Sequence, residues 1–405
     1  MSSLTKKPVR KRRVFYIPGY DPIHPRRYRE LYRKESAAQA EITGYEIHLK
    51  AKPKGASAGH YGWHVDATID DSTAAADFDV LVWSDIVRDS MEQGVFDTYV
   101  QLVRTAWAYI GSGALFRLMK LRKGPVIAAL YPVGFLLVQL AVALLMAWGL
   151  GQILAFLHPW AAWLGLAVVP FVLEWFRKRD GRFFAYYLMH DYAYSARHKG
   201  ANPPEIEARM AEFATEISDA LKSDVDEVLI VGHSSGAHLA VSILADIIRG
   251  GKLPATGPVL SFLSLGQVVP MVSFLSDAWR LRADLQYLSE RDELTWVDVT
   301  APGDGCAFAL CDPVSVTGVQ TPAKRWPLVL SAAFTQTLSA ERWKELRWRF
   351  FRLHFQYLCA FDRPGDYDYF QITAGPLPLA VRYEGRAPSK SRIEKSVSKF
   401  TSTAP

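Results

Sequence analysis

Short apolar runs alternate with longer amphipathic stretches along this chain, and the alternation predicts a layered α/β protein. Residues 13–17 (RVFYI) have the β-branched and aromatic content of a strand, and Pro18-Gly19-Tyr20-Asp21-Pro22 ends it in a turn. A helix is expected over 25–43, a short strand over 45–49, a buried strand over 79–83 and a helix over 86–110. Further on, 205–221 reads as an amphipathic helix. Residues 227–231 (EVLIV) form the continuous apolar run that a strand covered on both faces requires. A helix over 237–248, strands over 259–265, 295–299 and 328–333, and a helical region over 338–358 complete the pattern. Strands alternating with helices predict a mainly parallel sheet with helices on both faces.

One stretch breaks the pattern. Residues 124–173 contain no Asp, Glu, Lys or Arg. A bilayer core takes about 20 helical residues to cross, so this run suits two spans, expected near 125–148 and 153–175. Gly149, Gly151 and Pro159 are expected to break the helix between them. Trp148, Trp160, Trp163 and Trp175 sit where interfacial aromatics belong. Arg117, Lys120, Arg122 and Lys123 precede the run; Arg177, Lys178, Arg179 and Arg182 follow it. Positive flanks remain in the cytoplasm, so the sequence predicts an integral membrane protein with both termini and the folded domain on the cytoplasmic side.

Composition narrows the class. Apolar residues make up 50% and charged residues 22%, which excludes global disorder. Three cysteines, with no CxxC pair, exclude a disulfide-stapled domain and give no zinc signature. The net charge of +6 gathers at the ends: Lys6, Lys7, Arg10, Lys11, Arg12 and Arg13 at one, Arg386, Lys390, Arg392, Lys395 and Lys399 at the other. Both ends read as solvated extensions, and attraction to an anionic membrane is expected of them. The N-terminus lacks the apolar core of a signal peptide, and no nucleic-acid motif accompanies the charge, so no nucleic-acid partner is expected. His60 and His64 flank Gly62, which disfavours the helix that would align them as metal ligands; no metal and no organic cofactor are expected.

The sharpest chemical signal is Gly232-His233-Ser234-Ser235-Gly236, a G-x-S-x-G pentapeptide between EVLIV and the helix AHLAVSILADII. A strand, a sharp turn flanked by small residues, and a helix whose N-terminus favours developing negative charge together present a serine hydroxyl above the sheet edge. This segment resembles the nucleophile elbow of the α/β-hydrolase superfamily, in particular its lipase and esterase branches. The resemblance covers about 14–110 and 183–384 and implies an α/β-hydrolase fold there, into which the charge-free run inserts a two-helix transmembrane hairpin. Its boundaries are a basic tail (1–13), a first part of the domain (14–123), the hairpin (124–176), a second part with the elbow (177–384) and a basic Ser-rich tail (385–405).

The resemblance also implies a triad in the chain order Ser, acid, His. With Ser234 as nucleophile, His354 alone lies beyond any candidate acid after the elbow. Asp304, a few residues past the strand 295–299, is the first choice of acid; Asp312, before Pro313, is the alternative, and Asp298 within the strand reads as structural. The oxyanion hole would use the backbone N–H of Ser235 and that of Tyr20 in the early loop, where the chain has Pro18-Gly19 in place of the family's usual His-Gly. Gly232 and Gly236 would satisfy the steric demand of the elbow. The function so implied is a membrane-anchored serine hydrolase cleaving lipid-like acyl esters. A catalytically silent membrane scaffold and an acyltransferase using the same triad remain alternatives. Nothing in the sequence sets an oligomeric state.

Overall fold

The computed structural model describes residues 8–52, 60–91 and 93–405. Eight strands form one sheet: β1 (Lys11–Ile17), β2 (Glu46–Ala51), β3 (Gly62–Ile69), β4 (Ser72–Val80), β5 (Glu227–His233), β6 (Val259–Leu265), β7 (Leu294–Thr300) and β8 (Leu328–Ser331). Their order is β2-β3-β4-β1-β5-β6-β7-β8. The run from β4 to β8 is parallel, while β2 and β3 add an antiparallel edge. The protein is therefore a mixed α/β structure around a mostly parallel sheet.

Both faces of the sheet are covered. Successive residues of a strand point to opposite faces, and β1 divides accordingly. Val14 and Tyr16 join a core with Leu229, Val231 and the helix Arg26–Thr43. Phe15 and Ile17 join Val228, Ile230 and the helices Pro204–Ala220 and Gly236–Arg249 on the other side. All seven residues of β5 are buried, as its unbroken apolar run requires. Each large apolar side chain so buried contributes roughly 1.5–3 kcal/mol.

Several expectations are corrected. The hairpin β3–β4 was not anticipated: β3 alternates buried and half-buried residues with His64 and Asp66 on its wetter face, and β4 begins with an alanine-rich stretch of low strand propensity. The strand expected at 79–83 is only the end of β4. The helix expected over 86–110 is divided into Ser84–Met91 and Val95–Ala106, and a π-helical turn, Trp107–Gly111, follows. Arg12 belongs to no tail: it lies in β1, 2% exposed, with Nε 2.6 Å from Glu227 Oε2. Its guanidinium also donates to the Gly375 and Leu377 carbonyls, and Glu227 accepts from Ser261 Oγ and the Leu379 N–H. A buried pair with this many partners is affordable; either charge alone would not be.

The C-terminal segment, expected to be solvated, is strapped to the domain. Ile393 forms a parallel bridge with Cys311, and Arg282, 1% exposed, donates from Nε to the Ser402 carbonyl at 2.6 Å. The basic residues Lys6 and Lys7 lie outside the described residues.

The apolar insertion forms two helical segments long and apolar enough to cross a membrane, Lys123–Ala155 and Pro159–Arg177. The break at residues 156–158 falls within the expected interval from Trp148 to Pro159, directly before Pro159; the first helix runs on through Gly149 and Gly151. Gly151 serves contact instead: a Cβ there would lie 2.7 Å from the Ala162 carbonyl oxygen, so the glycine lets the second segment approach closely. The most apolar window is only 22% buried in the first segment and 11% in the second. Core helices of a folded domain would be mostly covered; these are not.

Candidate active site

The sheet delivers Ser234 to the end of β5. It has φ +56°, a left-handed conformation strained for any residue with a Cβ. Its N–H bonds the Leu265 carbonyl at 2.9 Å and its carbonyl accepts from Ala237 N–H, which ties the turn to β6 and to the helix Gly236–Arg249. The surroundings leave no room for larger residues. A Cβ on Gly236 would stand 2.1 Å from the Ile17 carbonyl oxygen, and one on Gly19 would stand 2.9 Å from Ser234 Cβ. The second distance also fixes the early loop against the serine.

That loop carries one of the expected oxyanion donors. Among the described residues, neither the Tyr20 N–H nor the Ser235 N–H donates to any protein group. Both residues line the same cavity as Ser234. Gly232 closes β5 against the following helix: a Cβ there would meet Ala237 Cα at 2.8 Å.

His354, which also lines that cavity, meets Asp304. His354 Nδ1 lies 2.7 Å from Asp304 Oδ2. Asp304 sits on the loop after β7, 2% exposed, and also accepts from the Cys306 N–H at 2.8 Å and from the Tyr357 hydroxyl at 3.0 Å. Burial pushes its pKa up, but the His354 ring and these hydrogen bonds outweigh burial and hold the carboxyl below its ordinary range. His354 closes the short helix Phe350–His354; the helical region expected over 338–358 is broken into Ala340–Leu346, this helix and a final turn at Gln356–Leu358. Among the described residues, neither His354 Nε2 nor Ser234 Oγ has a hydrogen-bond partner, and both residues line the one cavity of about 80 Å³.

Asp312 is elsewhere employed. It caps the helix Pro313–Thr317 through the N–H groups of Val314 and Ser315 and pairs with Lys324 Nζ at 2.6 Å. Asp298, in β7, accepts from Ser264 Oγ at 2.6 Å, and burial raises its pKa to about 7.

Three residues around the pair were not legible in the sequence. Tyr357 accepts from the Ala301 N–H at 2.9 Å while donating to Asp304, so it fixes the acid to the end of β7. His233 stands 3.0 Å from the His354 carbonyl oxygen through Nε2, and its ring lies 4.8 Å from that of His354. Burial holds its pKa down at about 3, so it is neutral and donates this bond. Asp191, from the helix Ala185–Arg197, also lines the cavity; burial raises its pKa to about 7, against the opposing charge of His354.

Asp304, Cys306 and His354 place donor atoms within 4.8 Å of one another, a spacing compatible with a metal ion. The chemistry favours a proton instead. The His354–Asp304 contact is already hydrogen-bond length, and burial pushes the Cys306 thiol well up, away from the thiolate a metal would need. His60 and His64 do not converge on a site. His64 bonds Asp77 at 2.8 Å and Asp66 at 3.1 Å, whereas His60 pairs with Glu216.

The root of the apolar insertion reaches this site. Pro125 lines the cavity, a Cβ on Gly124 would lie 3.3 Å from Gly305 Cα, and Arg122 Nε donates to the Ala309 carbonyl at 2.7 Å. The loop that holds Asp304 is therefore packed against the first residues of the long apolar helix. Comparison with protein-family models, curated proteins and solved structures finds no match.

Proposed function

We propose that this protein is a membrane-anchored serine hydrolase of α/β-hydrolase type that cleaves lipid-like acyl esters. The observation that carries the reading is that His354, hydrogen-bonded to the buried Asp304, lines one cavity with a strained Ser234. In the proposed reaction Ser234 Oγ attacks the ester carbonyl carbon while His354 Nε2 takes the hydroxyl proton. Asp304 stabilises the imidazolium through Nδ1. The carbonyl oxygen becomes an oxyanion facing the free N–H groups of Tyr20 and Ser235, an arrangement worth roughly 3–4 kcal/mol per donor in comparable sites. Collapse breaks the ester C–O bond, and His354 returns the proton to the leaving alcohol. Water, activated by the same histidine, then releases the acid and restores Ser234.

The substrate class is inferred from the insertion. Its two uncovered apolar segments would lie in a bilayer, with the basic flanks and the α/β domain on the cytoplasmic side. Pro125 would then stand where that helix leaves the membrane and meets the catalytic cavity, so an ester drawn from the bilayer would travel a short way to Ser234. Carbonate washing tests the anchoring: the protein is expected to stay with the membrane pellet. Hydrolysis of long-chain esters in mixed micelles, compared with short soluble esters, tests the substrate. Release by carbonate removes the anchor, and preference for soluble esters removes the lipid assignment alone.

A further inference from the structure

The helix Val95–Ala106 stands between two large cavities that the proposed chemistry does not use. One, of about 820 Å³, is mainly apolar; Glu174 at its wall is paired with Arg177. Val95, Phe96, Tyr99 and Leu102 wall it on one side, and Leu137, Leu140 and Phe171 of the apolar insertion wall it on the other. The second, of about 780 Å³, lies on the opposite face of the helix against Ala193, Ala196 and Leu275. Arg104, Arg197 and Lys199 line it, and among the described residues Asp97 is the one acidic residue of its wall. None of the three cations has an ion-pair partner among the described residues. At 3.6 residues per turn the two linings fall on separate sides of the helix. Val103, 66% exposed, borders both cavities and forms their shared rim, and Trp107, 79% exposed, lines the second cavity one helical turn further on.

We propose that this rim is a binding site for an anionic phospholipid, separate from the catalytic cavity. The acyl chains would lie in the apolar groove between the helix and the insertion. The phosphate would turn over Val103 and Trp107 to meet Arg104, Arg197 and Lys199. Charge complementarity selects the occupant: guanidinium groups bind phosphate oxygens in pairs, and cations at a cytoplasmic membrane surface favour anionic headgroups. Continuity with the insertion selects a lipid over a soluble anion, since the groove is walled by the segments proposed to lie in the bilayer. The site rests on that membrane reading but not on the hydrolase chemistry.

Native mass spectrometry of the full chain in non-ionic detergent tests it, with phosphatidylglycerol and phosphatidylcholine of matched chains as probes. The wild type is expected to retain the anionic lipid at least about tenfold better. The variant Arg104→Ala/Arg197→Ala/Lys199→Ala, altered only at exposed residues, should bring that preference below about twofold while Ser234 still reacts with an active-site probe. Glycerol phosphate, lacking acyl chains, should not compete. Equal retention of the two lipids, or an unchanged preference in the triple variant, overturns the site. Competition by glycerol phosphate at matched concentration overturns the lipid half, leaving a plain anion site. Carbonate release of wild-type protein bears on the membrane anchor, so the two failures are distinguishable.

Discussion

Asp304 Oδ2 lies 2.7 Å from His354 Nδ1, although 50 residues separate them in the chain. The contact is built from both sides. The loop after β7 turns the carboxylate inward with the Cys306 N–H, and Tyr357 bonds it from the segment that carries the histidine. A carboxylate held on one ring nitrogen fixes the tautomer that leaves the other free as a base. This relationship yields the first expectation. On the proposed chemistry, Asp304→Asn should lower kcat by roughly 10⁴-fold, the loss that a wrong tautomer causes in Ser-His-Asp triads. Asp312→Asn should leave kcat within a few fold, because Asp312 serves a helix cap and Lys324. Steady-state kinetics on purified, folded variants checks the pair.

Tyr357→Phe removes one hydrogen bond from Asp304 and leaves the buried Ala301 N–H without its acceptor. The unpaired N–H should cost about 1–3 kcal/mol of stability. Loosening of the acid should lower kcat about tenfold with KM little changed. Thermal melts and a kcat–KM comparison read the two effects separately.

Gly236→Ala should abolish folding or activity, since its Cβ would fall 2.1 Å from the Ile17 carbonyl oxygen and neither backbone can yield without opening the elbow. Gly134→Ala, with nothing within 4 Å of the added Cβ, is the control and should be neutral. Expression, melting temperature and probe labelling of the two variants make the comparison.

The elbow was the most legible part of the protein. EVLIV, the glycines and the following apolar helix are local features, and local sterics dictate a strained serine there. Asp304 and His354 were legible only through the resemblance, which implies an acid shortly after a strand and a histidine beyond it. Tyr357 and His233 were not, because each acts through a tertiary contact: Tyr357 reaches Ala301 and Asp304, and His233 reaches a carbonyl 121 residues away. The same holds for Arg12, whose charge looked like part of a tail until β5 brought Glu227 beside it. β3 was hidden by its polar alternate residues, which pair along an antiparallel edge rather than filling a core.

Asp298 gives a pH dependence. Burial raises its folded-state pKa to about 7, above its ordinary value of 3.8, so the folded state binds the extra proton between those values. The stability from that proton is complete below about pH 4 and is lost as pH rises toward 7. Asp298→Asn lacks this loss. Its stability relative to wild type should climb by up to about 1.4 kcal/mol per pH unit from pH 4 to 7 and level off above. Paired melting curves across that range measure it; a difference that falls with pH contradicts the assignment.

The central claim is that Ser234 is an activated nucleophile. Its most direct measurement is intact-mass analysis of the protein after treatment with a fluorophosphonate probe, with peptide mapping of the modified site. The expected result is a single adduct on Ser234, formed at pH 7–8 and lost in Ser234→Ala. In His354→Ala labelling should slow by about 10³-fold or more, and ester hydrolysis should fall in parallel in both variants, the double variant being little worse than either. Folded wild-type protein that takes up no probe, or carries the adduct at another residue, would contradict the account.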